Sequence, residues 1–382
     1  MTTVFVGRIP SISIVAACMC LNLALAAPPA KGMEKDGEKT APPAVEVLGT
    51  QLLSIHSAIA GQDYNLDINL PRNYKDTSRS FPVIYLLDAQ WDFPLVSAQY
   101  GNQYYDGFLP DAITVGITWG GNNPNYDSLR TRDFTPTPIA QAPFAGNAPK
   151  FLAFIKQELI PFIASRYRTD PSDRTLMGSS LGGLFTLYAM FHETGLFTRY
   201  ILTSPAISWD NGVLYSYEKD YHAKNTRLPV RLFMAVGGLE GNIAEFQKFA
   251  DLLKSRDYQG LHMETRVLVG TGHAGTKPEG FSRGLQSVFA RETKQVDPAI
   301  LKTYEGVYLL DPAHKASVAV ENGHLVLIPP EGSNIELEAD SDNHFFMRGA
   351  WLYISFLKND AGKVTGAHVE QFQGAFDVKK EN

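Results

Sequence analysis

A chain of 382 residues, 44% of them hydrophobic and 19% charged, has the apolar material for a large buried core, and its length suggests two or three domains. A formal net charge of −6 without any basic cluster argues against a nucleic-acid partner. Both cysteines, Cys18 and Cys20, lie near the start, so the rest of the chain has neither disulfide nor thiol nucleophile. Residues 1–26 carry a single charge, Arg8, then an apolar run from Ile9 to Leu25 that ends in the small-x-small triplet Ala24-Leu25-Ala26. This pattern predicts a signal peptide cleaved near Ala26 and a periplasmic or secreted protein; Val15-Ala16-Ala17-Cys18 offers the alternative of a lipoprotein anchored at Cys18. Residues 27–45, rich in Pro, Lys and Glu, read as a flexible linker. No later stretch approaches the roughly 20 apolar residues that a membrane span needs.

From residue 46 strands and helices alternate. Thr50 to Ile59 and Tyr64 to Leu70 read as an antiparallel pair joined at Gly61-Gln62. Near-continuous apolar runs at Phe81–Asp88, Ala112–Ile117, Tyr200–Thr203, Val230–Val236 and Met263–Val269 suit strands buried on both faces. Helical spacing appears at Phe151–Tyr167, where Pro161 predicts a bend, at Ile243–Arg256 and at Phe281–Phe289. The alternation predicts a mostly parallel sheet covered by helices on both faces, one α/β domain over residues 46–295. Beyond Asp297-Pro298 the pattern changes to short alternating runs with hairpin turns at Asn322-Gly323 and Asp360-Ala361-Gly362. Residues 300–382 are therefore expected to form a small antiparallel β-domain, a barrel or a sandwich.

The chemistry centres on Asp173–Met190, where a short β-prone run meets Gly178-Ser179-Ser180-Leu181-Gly182 and passes at once into an apolar helical pattern. This is the G-x-S-x-G elbow, in which a sharp strand-to-helix turn exposes a serine hydroxyl; the central serine is Ser180, not Ser179. A serine hydroxyl needs a base within reach and an acid to orient that base, each on a loop after a sheet strand, in the order serine, acid, histidine. Of nine histidines, His273 alone directly follows a predicted buried strand, within Gly270-Thr271-Gly272-His273-Ala274-Gly275. Glu240 stands after Val230–Val236 where the orienting carboxylate belongs, with Glu245 or a two-residue Ser-His arrangement as alternatives. The N–H of Leu181, following the nucleophile, and that of Gln90, in the loop after Phe81–Leu87, are the expected oxyanion donors. No metal and no organic cofactor is implied, because the ligand spacing of a metal site is absent.

The segments YLLDAQWDF, DRTLMGSSLGGLFTLYAMFHETGLFTRYILTSPAISWD, GGLE and GTGHAG together resemble the esterase-D-like α/β-hydrolases, among them enterochelin esterases, S-formylglutathione hydrolases, feruloyl esterases and mycobacterial mycolyltransferases. The likeness runs over roughly residues 50–290 and implies an α/β-hydrolase fold and hydrolysis of a small-molecule carboxylic ester through a serine acyl-enzyme. It places Gln90 at the oxyanion position, with Ala89 where relatives have glycine. The acid varies within the family, which leaves Glu240 less fixed than Ser180 or His273. The absence of cysteine past residue 20 and the expected leader point away from the S-formylglutathione branch, toward enterochelin-type or other exported esterases. Trp91 and Tyr104 are candidates for an aromatic pocket. Arg130 or Arg132 is a candidate to meet an anionic or catechol-like group, unless one of them pairs with Asp133 and pins its loop. Residues 304–325 resemble the lipocalin-like β-domains appended to some serine hydrolases. Acyl transfer through the same triad, and a non-catalytic ligand-binding role, are the competing readings.

Overall fold

A computed structural model describes residues 46–381 apart from 76, 312 and 373; the expected signal peptide, the Cys18 alternative and the linker lie outside the described residues. Strands β1 (Thr50–Ser57) and β2 (Gln62–Asn69) form the antiparallel pair. There follow β3 (Phe81–Leu86), α1 (Ala89–Tyr105), β4 (Ile113–Trp119), α2 (Tyr126–Phe134), α3 (Ala148–Phe154) and α4 (Ile160–Ala164). Then come β5 (Thr169–Ser179), α5 (Leu181–His192), β6 (Arg199–Thr203), α6 (Trp209–His222), β7 (Arg231–Gly237), α7 (Ile243–Ser255), β8 (His262–Leu268) and α8 (Thr276–Val288). The sheet order is β1-β2-β4-β3-β5-β6-β7-β8, with β2 antiparallel to β4 and every pairing from β4 to β8 parallel.

The central strands are buried where both faces are covered, along all of β4 and over the last five residues of β5. Phe151, Phe185 and Leu214 pack on one face, and Val96, Phe281 and Leu285 on the other. Parallel strands all end on one edge, and the loops leaving that edge are where an α/β sheet collects its chemistry. Two local readings change. Arg130 and Arg132, expected on a loop, stand on helix α2, whose start is capped by Asn125 accepting from Ser128 N–H at 3.0 Å. The expected helix over Phe151–Tyr167 is divided: a π-helical turn, Ile155–Leu159, joins α3 to α4 just ahead of Pro161. Proline has no N–H to continue the ladder, and one wider turn absorbs the missing bond.

The C-terminal region begins with α9 (Pro298–Tyr304), which the sequence reading did not include; Asp297 caps it by accepting from Ala299 N–H at 2.7 Å. Eight antiparallel strands follow: β9 (Gly306–Leu309), β10 (Lys315–Glu321), β11 (His324–Ile328), β12 (Ile335–Ala339), β13 (His344–Phe346), β14 (Leu352–Lys358), β15 (Val364–Gln371) and β16 (Gly374–Lys380). They close into a barrel, because β16 pairs back onto β9. The Asn322-Gly323 turn joins β10 to β11 with both residues at positive φ, 50° and 84°, as a two-residue hairpin loop requires. Barrel and sheet meet where Trp351 packs on Tyr104 at 4.6 Å and Phe372 on Tyr105 at 4.7 Å.

Candidate active site

Five loops leave the carboxyl ends of neighbouring strands and carry the polar residues: Asp88–Gln90 after β3, Ser180 after β5, Ser204 after β6, Glu240 after β7 and His273 after β8. Ser180 sits at φ 58°, ψ −117°, a region that non-glycine residues rarely occupy. Its N–H donates to the Thr203 carbonyl at 3.0 Å, and its own carbonyl accepts from Ala206 N–H at 3.1 Å, so the strained turn is tied to the loop after β6. Strand and helix can fold back this sharply only because Gly178 is a glycine; a Cβ there would lie 2.7 Å from the Gly182 carbonyl group.

Glu240 and His273 meet: the imidazole Nδ1 lies 2.7 Å from Oε2 of the carboxylate. The other oxygen, Oε1, accepts from the Ser204 hydroxyl at 2.5 Å and from Gly237 N–H at 2.7 Å. Burial alone pushes this carboxyl upward, since its side chain is only 6% exposed, yet the hydrogen bonds from Ser204, His273 and Gly237 outweigh burial and hold its pKa below the ordinary value. An ionised carboxylate only accepts, so the proton of a neutral imidazole resides on Nδ1 and leaves the Nε2 lone pair free to take another. Thr276, buried at the start of α8, donates to the His273 carbonyl at 2.7 Å and touches Ser204 Oγ at 2.9 Å. Ser204 and Thr276 were not singled out from sequence; the available signal was Ser204 directly following an apolar strand inside TSPAISWD.

Leu181 is the first residue of α5 and Gln90 the second of α1, so neither N–H has an acceptor within its own helix. The two turns lie side by side. Leu87 N–H donates to the Met177 carbonyl at 2.9 Å, and a Cβ on Gly182 would come within 3.4 Å of Asp88 Oδ2. Asp88, at φ 55° and almost fully buried, is gripped by both arms of Arg130, Nε to Oδ1 at 2.9 Å and Nη2 to Oδ2 at 2.8 Å.

This placement corrects part of the substrate-contact reading. The Arg130 fork is occupied by Asp88, and the Arg132 fork by Asp133, at 2.8 and 2.9 Å, so the charge of each guanidinium is paired within the protein. Pairing of one arginine with Asp133 was among the expectations, and Arg132 makes it. Asp133 is fully buried and also accepts from Tyr64 and Trp119, so its charge needs that partner. Tyr104 lies fourteen residues, about 21 Å, along α1 from Gln90 and packs on the barrel, away from the elbow. Trp91 follows Gln90 on α1. Its ring is 46% exposed, edge-on to Tyr126, with Arg130 Cζ at 5.7 Å and Lys277 Nζ at 5.9 Å from its centre. Among the described residues no group of three or more His, Cys, Asp or Glu could hold a metal ion, and no helix is long and apolar enough to cross a membrane.

A hydroxyl on a strained elbow, a carboxylate–imidazole pair and two helix-start N–H groups, all on the carboxyl edge of one parallel sheet, define an α/β-hydrolase. The Esterase family model matches residues 57–267, more than half of the chain, and the chain belongs to that family. It is 30% identical over 268 residues to the ferri-bacillibactin esterase BesA of Bacillus subtilis (strain 168), covering 64% of this chain and 90% of that protein. It is 37% identical over 170 residues to the siderophore enterobactin esterase of Emericella nidulans, covering 39% and 55%. Among solved structures it resembles the BES protein from Bacillus cereus, with a TM-score of 0.58, 25% identity and coverage of 65% of this chain and 99% of that one. The siderophore hydrolase EstB from Aspergillus nidulans shares the fold, at a TM-score of 0.55 and 24% identity. The protein is an ester hydrolase. About a third of the chain has no counterpart in these structures, and the family match ends before the barrel begins.

Proposed function

We propose that this protein is an exported serine esterase that cleaves an aromatic, siderophore-type carboxylic ester through an acyl-enzyme on Ser180. The observation that carries the reading is the His273–Glu240 pair, whose geometry leaves Nε2 as a base on the same sheet edge as the elbow serine. Ser180 Oγ attacks the ester carbonyl while Nε2 takes its proton; the resulting imidazolium is stabilised by the Glu240 carboxylate. The tetrahedral oxyanion is received by the N–H groups of Gln90 and Leu181, where each donor is worth about 2.7–4 kcal/mol in the transition state. Collapse expels the alcohol with the proton from His273. Water, deprotonated by the same imidazole, then releases the acid and restores Ser180.

Two observations support the aromatic substrate. Trp91 presents an exposed face directly after Gln90, edge-on to Tyr126, on which an aromatic group can stack. The relatives named above are esterases of bacillibactin and enterobactin. Export rests on residues 1–26. The test is a comparison of kcat/KM for a triscatecholate trilactone, feruloyl esters and p-nitrophenyl acyl esters, together with fluorophosphonate labelling. Labelling of wild type but not Ser180→Ala, with the trilactone preferred, is expected. Equal labelling of both chains overturns the nucleophile, and a preference for plain acyl esters overturns the substrate class. An added alcohol acceptor that captures the acyl group faster than water would redefine the reaction as acyl transfer. Mass measurement of the exported chain checks cleavage near Ala26.

A further inference from the structure

The interior of the C-terminal barrel is built as a cup. An eight-stranded barrel is just wide enough for its own side chains to fill it or for one small ligand to sit inside. Here both solutions occur, one at each end. At the base, α9 closes the opening: Tyr304 stacks on Phe356 at 4.1 Å with planes 13° apart, and its hydroxyl donates to the Asp342 carbonyl at 2.9 Å. Toward the opposite end two strands present small inward residues, Ala316 and Val318 on β10 and Ala367 and Val369 on β15, which face larger ones such as Leu327, Ile335 and Ile354. They leave a cavity of about 520 Å³, within the range of small-molecule sites. A core of this size is ordinarily filled to crystal-like density, so an open volume of this size inside the barrel is not an ordinary packing outcome. At the mouth, Leu310 and Phe376 are exposed to 38% and 40%.

The lining also determines what kind of molecule fits. None of its residues is cationic. Its single acid, Asp311, stands at the mouth with its carboxylate already engaged by Ala313 N–H, His314 N–H and His314 Nδ1, at 2.7, 3.0 and 2.8 Å. A carboxylate or sulfonate would enter past this negative charge and find no positive partner inside. Phe356, Phe376 and Tyr308 offer ring surface, and Gln371 one amide at the rim. We infer that the barrel is a second binding site, separate from the ester-cleaving centre, for one uncharged aromatic molecule of two or three rings. The site holds no group that could act on its ligand; it captures and retains.

The test uses the full chain and two probes with the same ring skeleton, neutral N-phenyl-1-naphthylamine and its anionic relative 1-anilinonaphthalene-8-sulfonate. Saturable 1:1 fluorescence enhancement by the neutral probe is expected, with at least tenfold tighter binding than the sulfonate. Ala316→Leu, which fills the cavity, should weaken the neutral probe at least tenfold while the chain melts at or above the wild-type temperature. Phe376→Ala, at an exposed rim position that tolerates truncation, should weaken it several-fold even if Ala316→Leu fails to fold. Ser180→Ala, and wild type blocked by a fluorophosphonate, should bind as before, which separates this inference from the esterase mechanism. No saturable binding, equal affinity for both probes, or insensitivity to both barrel variants overturns the proposal. Loss of binding on blocking Ser180 relocates the probe to the catalytic cleft and overturns it equally.

Discussion

The sheet and the barrel solve the same packing problem in opposite ways. In the sheet, strands such as β4 are buried along every residue, so polar groups are expelled from the middle and collect where the strands stop. Asp88, Ser180, Ser204, Glu240 and His273 all stand at such ends. In the barrel each strand alternates between inside and outside, and polar groups are expelled sideways to solvent rather than to one edge. The sheet therefore gathers reactive groups at one edge, and the barrel encloses an apolar space with none inside. Chemistry belongs to the first region, and any ligand of the second is held without being transformed.

Substitutions can break this division, beginning with the largest effect. Ser180→Ala should lower kcat/KM by about 10⁴-fold or more while leaving the melting temperature near wild type, because it removes the proposed nucleophile while the turn is held by backbone bonds. Steady-state kinetics beside a thermal melt checks both halves. Next come two buried substitutions of similar thermodynamic size in the two regions. Asp88→Asn strips the partner from Arg130, whose side chain is 14% exposed, and should cost about 3–5 kcal/mol by urea denaturation. Tyr304→Ala removes the barrel's plug and should cost about 3–5 kcal/mol as well. Only Asp88→Asn should lower kcat, because it alone loosens the turn that carries Gln90; an equal fall in both would mean that the barrel shapes the catalytic edge.

Glu240→Gln is expected to cost about 10²-fold in kcat with KM nearly unchanged, since an amide disturbs the His273 tautomer while substrate contacts stay in place. The smallest effect concerns pH. The folded-state pKa of Glu240 lies below its unfolded value, so its stabilising contribution is complete above the ordinary carboxylate range and is lost as pH falls through the folded value. The stability difference between wild type and Glu240→Gln should thus shrink as pH falls below about 4. Urea melts from about pH 5 downward would show it, and a gap that widens over that interval would contradict the assigned hydrogen bonds.

Much of this architecture was legible in the chain. Ser180, Glu240 and His273 each come shortly after a run legible as a strand, although β8, read as buried on both faces, is the sheet's edge strand and leaves Val269 91% exposed; the glycines at 178 and 182 announce a close approach that the fold then makes. The Asn322-Gly323 hairpin was equally plain. Other features were not legible. Arg130 finds Asp88 across 42 residues of chain, although a nearer acid, Asp133, was available; Asp133 instead binds Arg132, Tyr64 and Trp119. Tyr104 carries no mark that separates a barrel contact from a substrate contact. Ser204 and Thr276 meet over 72 residues.

Sequence by itself determined what is local: which runs become strands, where the elbow turns, and which serine stands on it. Those follow from side-chain periodicity and turn stereochemistry, which act over a few residues. Only the tertiary structure decided that β16 closes onto β9, making a hollow barrel instead of a sandwich, and that the arginine forks bind the protein's own carboxylates. Those outcomes depend on which distant groups share a buried space, where an unpaired charge or open strand edge is costly and the available partners are set by the whole fold.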